Sequence, residues 1–265
     1  MIELAPGHKH GLVLASPLMN AAGILGFSRE YHALLDFQQL GALVTNPLTY
    51  QPRTPAHPPN AVTVAGALVI HTGLPNPGLR QALRRWDREW RRLGVPVILH
   101  LTATSPAETA RCLELIERAQ GVSAIELGLR HDVTADETAR EVRAALGGPP
   151  LLVRLPVERA AELAGAAVQA GADALTIGTS PRVAAPAGDR TVTGRLYGPA
   201  CLPASVAAVQ AVAALALGVP LIGAGGIYSI EDARLFLEAG AVAIQVDAAL
   251  WTRPQIVAEL AALAA

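Results

Sequence analysis

The sequence predicts an α/β fold, a (β/α)8 TIM barrel, on three observations. Short runs of almost uninterrupted Val, Ile, Leu and Ala alternate with longer stretches of helical periodicity, the pattern of parallel strands covered by helices. Eight such runs fall between residues 18 and 246. With 265 residues and 51% hydrophobic content, the chain can bury the core of one such barrel, so residues 1–265 are expected to form a single domain.

Residues 2–4 and 12–14 flank a glycine-containing turn and predict an N-terminal hairpin that caps the barrel bottom. Barrel strands are predicted at 18–21, 41–46, 95–101, 124–127, 151–155, 174–177, 221–223 and 243–246, each with its crossover helix. After the second strand a proline-rich stretch, 51–60, leads to strand-like runs at 61–64 and 67–71. This β-insertion is expected to stand over the carboxyl ends of the strands. Helix starts are marked by hydroxyls that accept from free N–H groups: Ser105 with Pro106 and Glu108 behind it, Thr134 with Glu137, and Ser229 with Asp232. Arg80, Arg84, Arg85, Arg88, Arg91 and Arg92 surround Trp86 and Trp90, but Asp87 and Glu89 interrupt the positive field. The pattern predicts a solvated helix with its tryptophans on the barrel or at a subunit contact, and no nucleic-acid surface.

A formal net charge of −1 gives no general attraction to nucleic acid or anionic membrane and leaves a small molecule as the expected partner. No apolar run is long enough to span a bilayer, and the N-terminus lacks the charged head and apolar core of a signal peptide. A soluble, cytoplasmic protein is expected. Cys112 and Cys201 stand far apart without metal or redox spacing, and Cys201 reads as a small packed residue.

The strongest chemical signal lies at 220–253. An apolar strand ends in Gly225 and Gly226 ahead of the helix capped by Ser229, and a second strand ends nearby at Val246. Bare glycine amides beside a helix start let a phosphate approach the main chain. Asp247 opposes that reading, because it sets a carboxylate where a cradle wants only an amide; it is expected instead to cap the turn at 248–251. His71, His100 and His131 are all expected near strand carboxyl ends. Their wide spacing and the lack of a carboxylate pair predict no metal site. His131 is the candidate general base, with a solvated loop histidine beside Asp132 as the alternative.

Several stretches, in order along the chain, resemble the soluble, FMN-containing dihydroorotate dehydrogenases. They are P-L-M-N-A-A-G-I-L-G-F-S-R-E-Y (17–31), L-G-A-L-V-T (40–45), P-R-T-P-A-H-P-P-N (52–60), G-L-P-N-P-G (73–78), A-I-E-L (124–127), T-G-R-L-Y-G-P-A (193–200) and the 220–253 segment. The resemblance implies a flavin mononucleotide across the barrel mouth, an oxidoreductase activity connected with pyrimidine biosynthesis, and a homodimer. It assigns Ala21, Ala22, Gly23, Thr45 and Asn46 to the flavin ring, Gly198, Gly225, Gly226, Asp247 and Ala248 to its phosphate, and Arg154 to the place of a lysine beside its electron-poor edge. To the substrate it assigns Asn46, His71, Gly73, Leu74, His100, Gly128 and Gly178.

The departures from that family gather at the chemistry. Asn46 stands for a lysine; His71, Gly128, Val133 and Gly178 for asparagines; His131 for the proton-abstracting cysteine; and Asp247 for a glycine. A site built to hydrogen-bond dihydroorotate loses orders of magnitude when such donors vanish. An FMN-dependent oxidoreductase with an altered substrate is therefore expected, with two alternatives: a catalytically inactive binding or scaffold protein of the same family, or a flavin-free barrel enzyme for a phosphate ligand.

Overall fold

The computed structural model describes residues 1–28, 30–31, 33–261 and 263. Strand β1 (Ile2–Glu3) pairs antiparallel with β2 (Val13–Leu14), and the barrel opens with β3 (Leu18–Asn20) and β4 (Leu43–Val44). An insertion follows as β5 (Ala61–Val64) and β6 (Ala67–Ile70), then barrel strands β7 (Val97–Thr102), β8 (Ala124–Gly128), β9 (Leu151–Pro156) and β10 (Ala174–Thr179). A second hairpin, β11 (Arg182–Ala187) and β12 (Arg190–Tyr197), precedes the last barrel strands, β13 (Leu221–Ala224) and β14 (Ala243–Val246).

Eight parallel strands run in the order β3-β14-β13-β10-β9-β8-β7-β4. A parallel bridge between Met19 and Ala42, with the Gly41 N–H donating to the Leu18 carbonyl at 2.7 Å, joins the ends and closes the (β/α)8 barrel. Helices α1 (Leu79–Trp90), α2 (Pro106–Ile116), α3 (Ala135–Ala144), α4 (Ala160–Gln169), α5 (Leu202–Ala213) and α6 (Ile230–Glu238) connect successive strands from β4 onward, and α7 (Ala249–Thr252) and α8 (Ile256–Ala261) end the chain. The expected helix between β3 and β4 is missing among the described residues. Only a 3-10 turn at Phe37–Gln39 stands there, capped by Asp36.

The caps behave as their spacing predicts. Ser105 and Ser229 accept from the third N–H of α2 and α6, and Thr134 with Glu137 forms a reciprocal capping box on α3. On α1 both tryptophans turn to the barrel: Trp86 stacks on Phe27 at 4.5 Å, and the Trp90 indole donates to the Phe27 carbonyl at 2.6 Å.

The insertion is larger than its sequence suggests. β5 and β6 join β12 and β11 in a four-stranded antiparallel sheet over the barrel mouth. Its second hairpin turns through Gly188 (φ +67°) and Asp189, a two-residue Gly-Asp loop of the kind that closes hairpins. Proline and alanine in β11 mask the alternation that would otherwise announce a strand.

Inside the barrel, side chains form layers. At the bottom, Met19, Val44, Ile98, Ala124, Leu152, Ala174, Ile222 and Ala243 pack against Leu4, Leu12 and Leu14 of the N-terminal hairpin, which plugs that end. Strand side chains alternate, so the residues two steps onward also face inward. On five strands these are both polar and buried: His100, Glu126, Arg154, Thr176 and Gln245. No described helix is long and apolar enough to cross a membrane.

Candidate functional site at the barrel mouth

This polar layer is a closed hydrogen-bond network. Glu126 Oε1 accepts from Thr176 Oγ1 at 2.9 Å and from Gln245 Nε2 at 2.6 Å, while Oε2 meets His100 Nδ1 at 2.7 Å. Arg154 donates to Gln245 Oε1 and, at 2.6 Å, to the Gly178 carbonyl; its guanidinium lies 3.7 Å from Glu126. Burial pushes the Glu126 carboxyl up, yet Arg154, His100 and Gln245 together outweigh it and hold the pKa at about 2. An ionised carboxylate only accepts, so the proton on the paired ring nitrogen belongs to His100 Nδ1. His100 Nε2 has no hydrogen bond among the described residues.

Above the network lies a cavity of about 140 Å³ lined by Ala21, Ala22, Leu74, His100, Gly128, Arg154, Arg195, Tyr197 and Asp247, among others. Larger clefts of about 560 and 460 Å³ lie beside Leu34 and at the barrel bottom near Lys9, away from the strand carboxyl ends. Size alone would favour them, but neither contains a buried titratable group, and the smaller cavity is the chemical one.

Asp247 is 3% exposed, and its Oδ1 has no hydrogen-bond partner. Burial raises its pKa to about 6, against the main-chain N–H groups of Ala248, Gly226 and Asp247 itself and against Arg154. The expected cap is not formed. The following helix starts behind Ala248 with no side-chain capping bond, and only the Asp247 carbonyl accepts, from the Leu250 N–H at 3.0 Å. Tyr197 has its phenol pKa raised by burial and by Asp247, and its ring leans on Trp251 at 5.7 Å.

A model of the family described as dihydroorotate dehydrogenase matches residues 8–263. The chain belongs to the dihydroorotate dehydrogenase family. Dihydroorotate dehydrogenase B (NAD(+)), catalytic subunit, of Desulforudis audaxviator (strain MP104C) is 34% identical over 272 residues, covering 95% of this chain and 88% of that protein. The protein of the same description from Geobacillus kaustophilus (strain HTA426) is 32% identical over 278 residues, covering 96% and 88%. Among solved structures, dihydroorotate dehydrogenase of Eimeria tenella in complex with ferulenol shares the fold, with a TM-score of 0.76 at 18% identity over 98% of this chain and 84% of the other.

Of the positions that dihydroorotate dehydrogenase resemblance singles out, the cavity brings together Ala21, Ala22, Leu74, His100, Gly128, Arg154 and Asp247. Thr45 lies just beneath, its hydroxyl accepting from the His100 N–H at 3.1 Å. Asn46 turns away, accepting from the Gly26 N–H at 3.1 Å, and Gly23 lies against Pro47. His71 and Gly73 line an adjoining cleft of about 210 Å³ between the insertion strands, which shares Leu74, Arg195 and Tyr197 with the cavity. His131 does not line the cavity: it is exposed in the turn after β8, and the three histidines do not converge. Among the described residues no group of three His, Cys, Asp or Glu is arranged to hold a metal.

The glycines have local reasons of their own. A Cβ on Gly128 would stand 2.5 Å from His100 Nε2, and one on Gly178 would stand 2.5 Å from the Ala224 Cβ. At both positions neighbouring atoms thus fill the room a side chain would need. Gly225 and Gly226 are pressed by Ser205 and by the Leu202 main chain at the start of α5, and Gly198 by Gly66. Sequence reading missed Glu126, Thr176 and Gln245. Their signal is a polar residue interrupting an apolar strand two places beyond an inward-facing aliphatic.

Proposed function

We propose that this chain is an oxidoreductase of the dihydroorotate dehydrogenase kind in which His100, oriented by Glu126, takes the substrate proton, and that its substrate is not dihydroorotate. The observation that carries this is the 2.7 Å His100–Glu126 pair at the floor of the cavity. A carboxylate that fixes Nδ1–H leaves Nε2 as a base directed at a bound molecule. His131, which occupies the family's base position, is too exposed for that task. The His100 ring also fills the room a side chain at Gly128 would need, which disfavours the asparagine-lined site of the family.

FMN is the cofactor the family implies, and its two ends fare differently. Ala21, Ala22 and Arg154 at the cavity support a flat, electron-accepting ring, since a cation there favours an anionic reduced form. The FMN phosphate does not fit. Asp247 stands in its place with a buried carboxyl. That same carboxyl favours a second reading, a family member that serves as the flavin-free companion of a catalytic subunit.

Dye-linked turnover with a panel of small CH–NH and CH–CH donors separates these readings. We expect turnover with a panel member and none with dihydroorotate, loss of about 100-fold or more in His100→Ala, and no change in His131→Ala. Dihydroorotate oxidation at rates matching another donor contradicts the altered substrate; silence with every donor favours the companion.

A further inference from the structure

Among the described residues, one deeply buried carboxyl is left unfinished by the fold. Asp247 is 3% exposed, lines the cavity, and keeps Oδ1 without a partner, although every oxygen of the neighbouring Glu126 network is used. A buried acceptor without a donor costs free energy, so an incompletely bonded carboxyl on a cavity wall marks the place where a ligand's donor completes the bonding.

The charge around Asp247 narrows the ligand's chemistry. Facing it are Arg154 on β9, Tyr197 on β12, Cys201 ahead of α5 and Tyr228 beyond β13, with the N–H groups of Gly226 and Ala248. A dianion would meet the charge of a carboxylate buried beside it. An ammonium group would join two guanidiniums, Arg154 and Arg195, in the same cavity. A neutral hydroxyl donates to the carboxyl and adds no charge.

We propose that the barrel-mouth site takes a neutral, hydroxyl-bearing ligand whose hydroxyl donates to Asp247, and that Asp247 rejects the phosphate monoester of the same compound. For flavins this means the alcohol form over the phosphate form. The inference rests on the reading of the cavity as the redox site, and it identifies Asp247 as the residue that sets ligand class there.

Riboflavin and FMN differ only in that hydroxyl and phosphate, and serve as the probes. Each is titrated into the full chain at pH 8 and followed by flavin fluorescence and calorimetry. Riboflavin is expected to bind the wild type at least tenfold more tightly than FMN. Asp247→Asn, which keeps the shape and removes the charge, is expected to narrow that ratio at least tenfold, and Asp247→Gly to invert it. The wild-type ratio decides the matter even if a variant does not fold. FMN binding as tightly as riboflavin, or a ratio unchanged in a folded Asp247→Asn, overturns the inference. Absence of binding by both flavins also overturns it; if dye-linked turnover persists, the oxidoreductase reading survives, and if turnover is absent too, both fall.

Discussion

Two carboxylates buried at the carboxyl ends of the barrel strands behave in opposite ways. Glu126 in β8 is wholly buried, accepts from Thr176, Gln245 and His100, and has its pKa held at about 2. Asp247, one residue past β14, is nearly as buried, has an oxygen without a partner, and has its pKa pushed up to about 6. Burial acts on both in the same sense, and the partners decide the outcome. The inner layer is a self-sufficient network that positions His100, whereas the mouth above it is chemically open. One polar layer of a barrel can thus be complete while a carboxyl one step higher is not.

The most severe way to break this contrast is to remove the inner charge. Glu126→Gln leaves the buried Arg154 cation without its counter-charge and is expected to destabilise the fold by about 3–5 kcal/mol, measured by urea unfolding. A loss below about 1 kcal/mol would mean that the layer is not held by its charges.

The outer carboxylate should respond with the opposite sign. Its folded pKa of about 6 lies above the ordinary 3.8, so between those values the folded state holds more protons and stability falls as pH rises. Above pH 6 the deficit is on the order of 3 kcal/mol, and Asp247→Asn should recover much of it at pH 8 while gaining little at pH 4. Glu126 works in a different window. Its contribution is complete above about 4.5 and is lost as pH falls toward about 2. Unfolding curves of wild type and Asp247→Asn across pH 4–8 check the sign; parallel profiles contradict it.

A smaller effect sharpens the boundary between the layers. Gly128→Asn drives a side chain against the His100 ring and should cost about 1–3 kcal/mol. Combined with His100→Ala, the cost should be less than additive by about 1 kcal/mol or more in a double-mutant cycle. Strict additivity would show that the two positions do not share space.

Much of the frame was legible in the sequence because it obeys local rules. Apolar runs marked all eight barrel strands, and Ser105, Thr134 and Ser229 marked three helix starts with their cap spacing. The hairpin β11–β12 was not, since Pro186 and alanines hide its alternation and its partner β6 lies more than a hundred residues away. The site was legible by position and obscure by role. His100 was placed at the substrate, but its pairing with Glu126 depends on adjacent strands in register, His100 opposite Glu126. Conversely, His131 earned its place by alignment to a reactive cysteine, and the exposed turn after β8 carries it away from the cavity. Asp247 could be read as a helix cap from spacing alone, because nothing local reveals that α7 begins one residue later, behind Ala248.

The central claim is that one buried carboxylate is complete and the other is not. A carboxyl-carbon NMR titration, assigned with Glu126→Gln and Asp247→Asn, measures both in the native protein. Glu126 is expected to remain ionised to about pH 2 and Asp247 to titrate near pH 6. Both groups titrating together near pH 4 would contradict it.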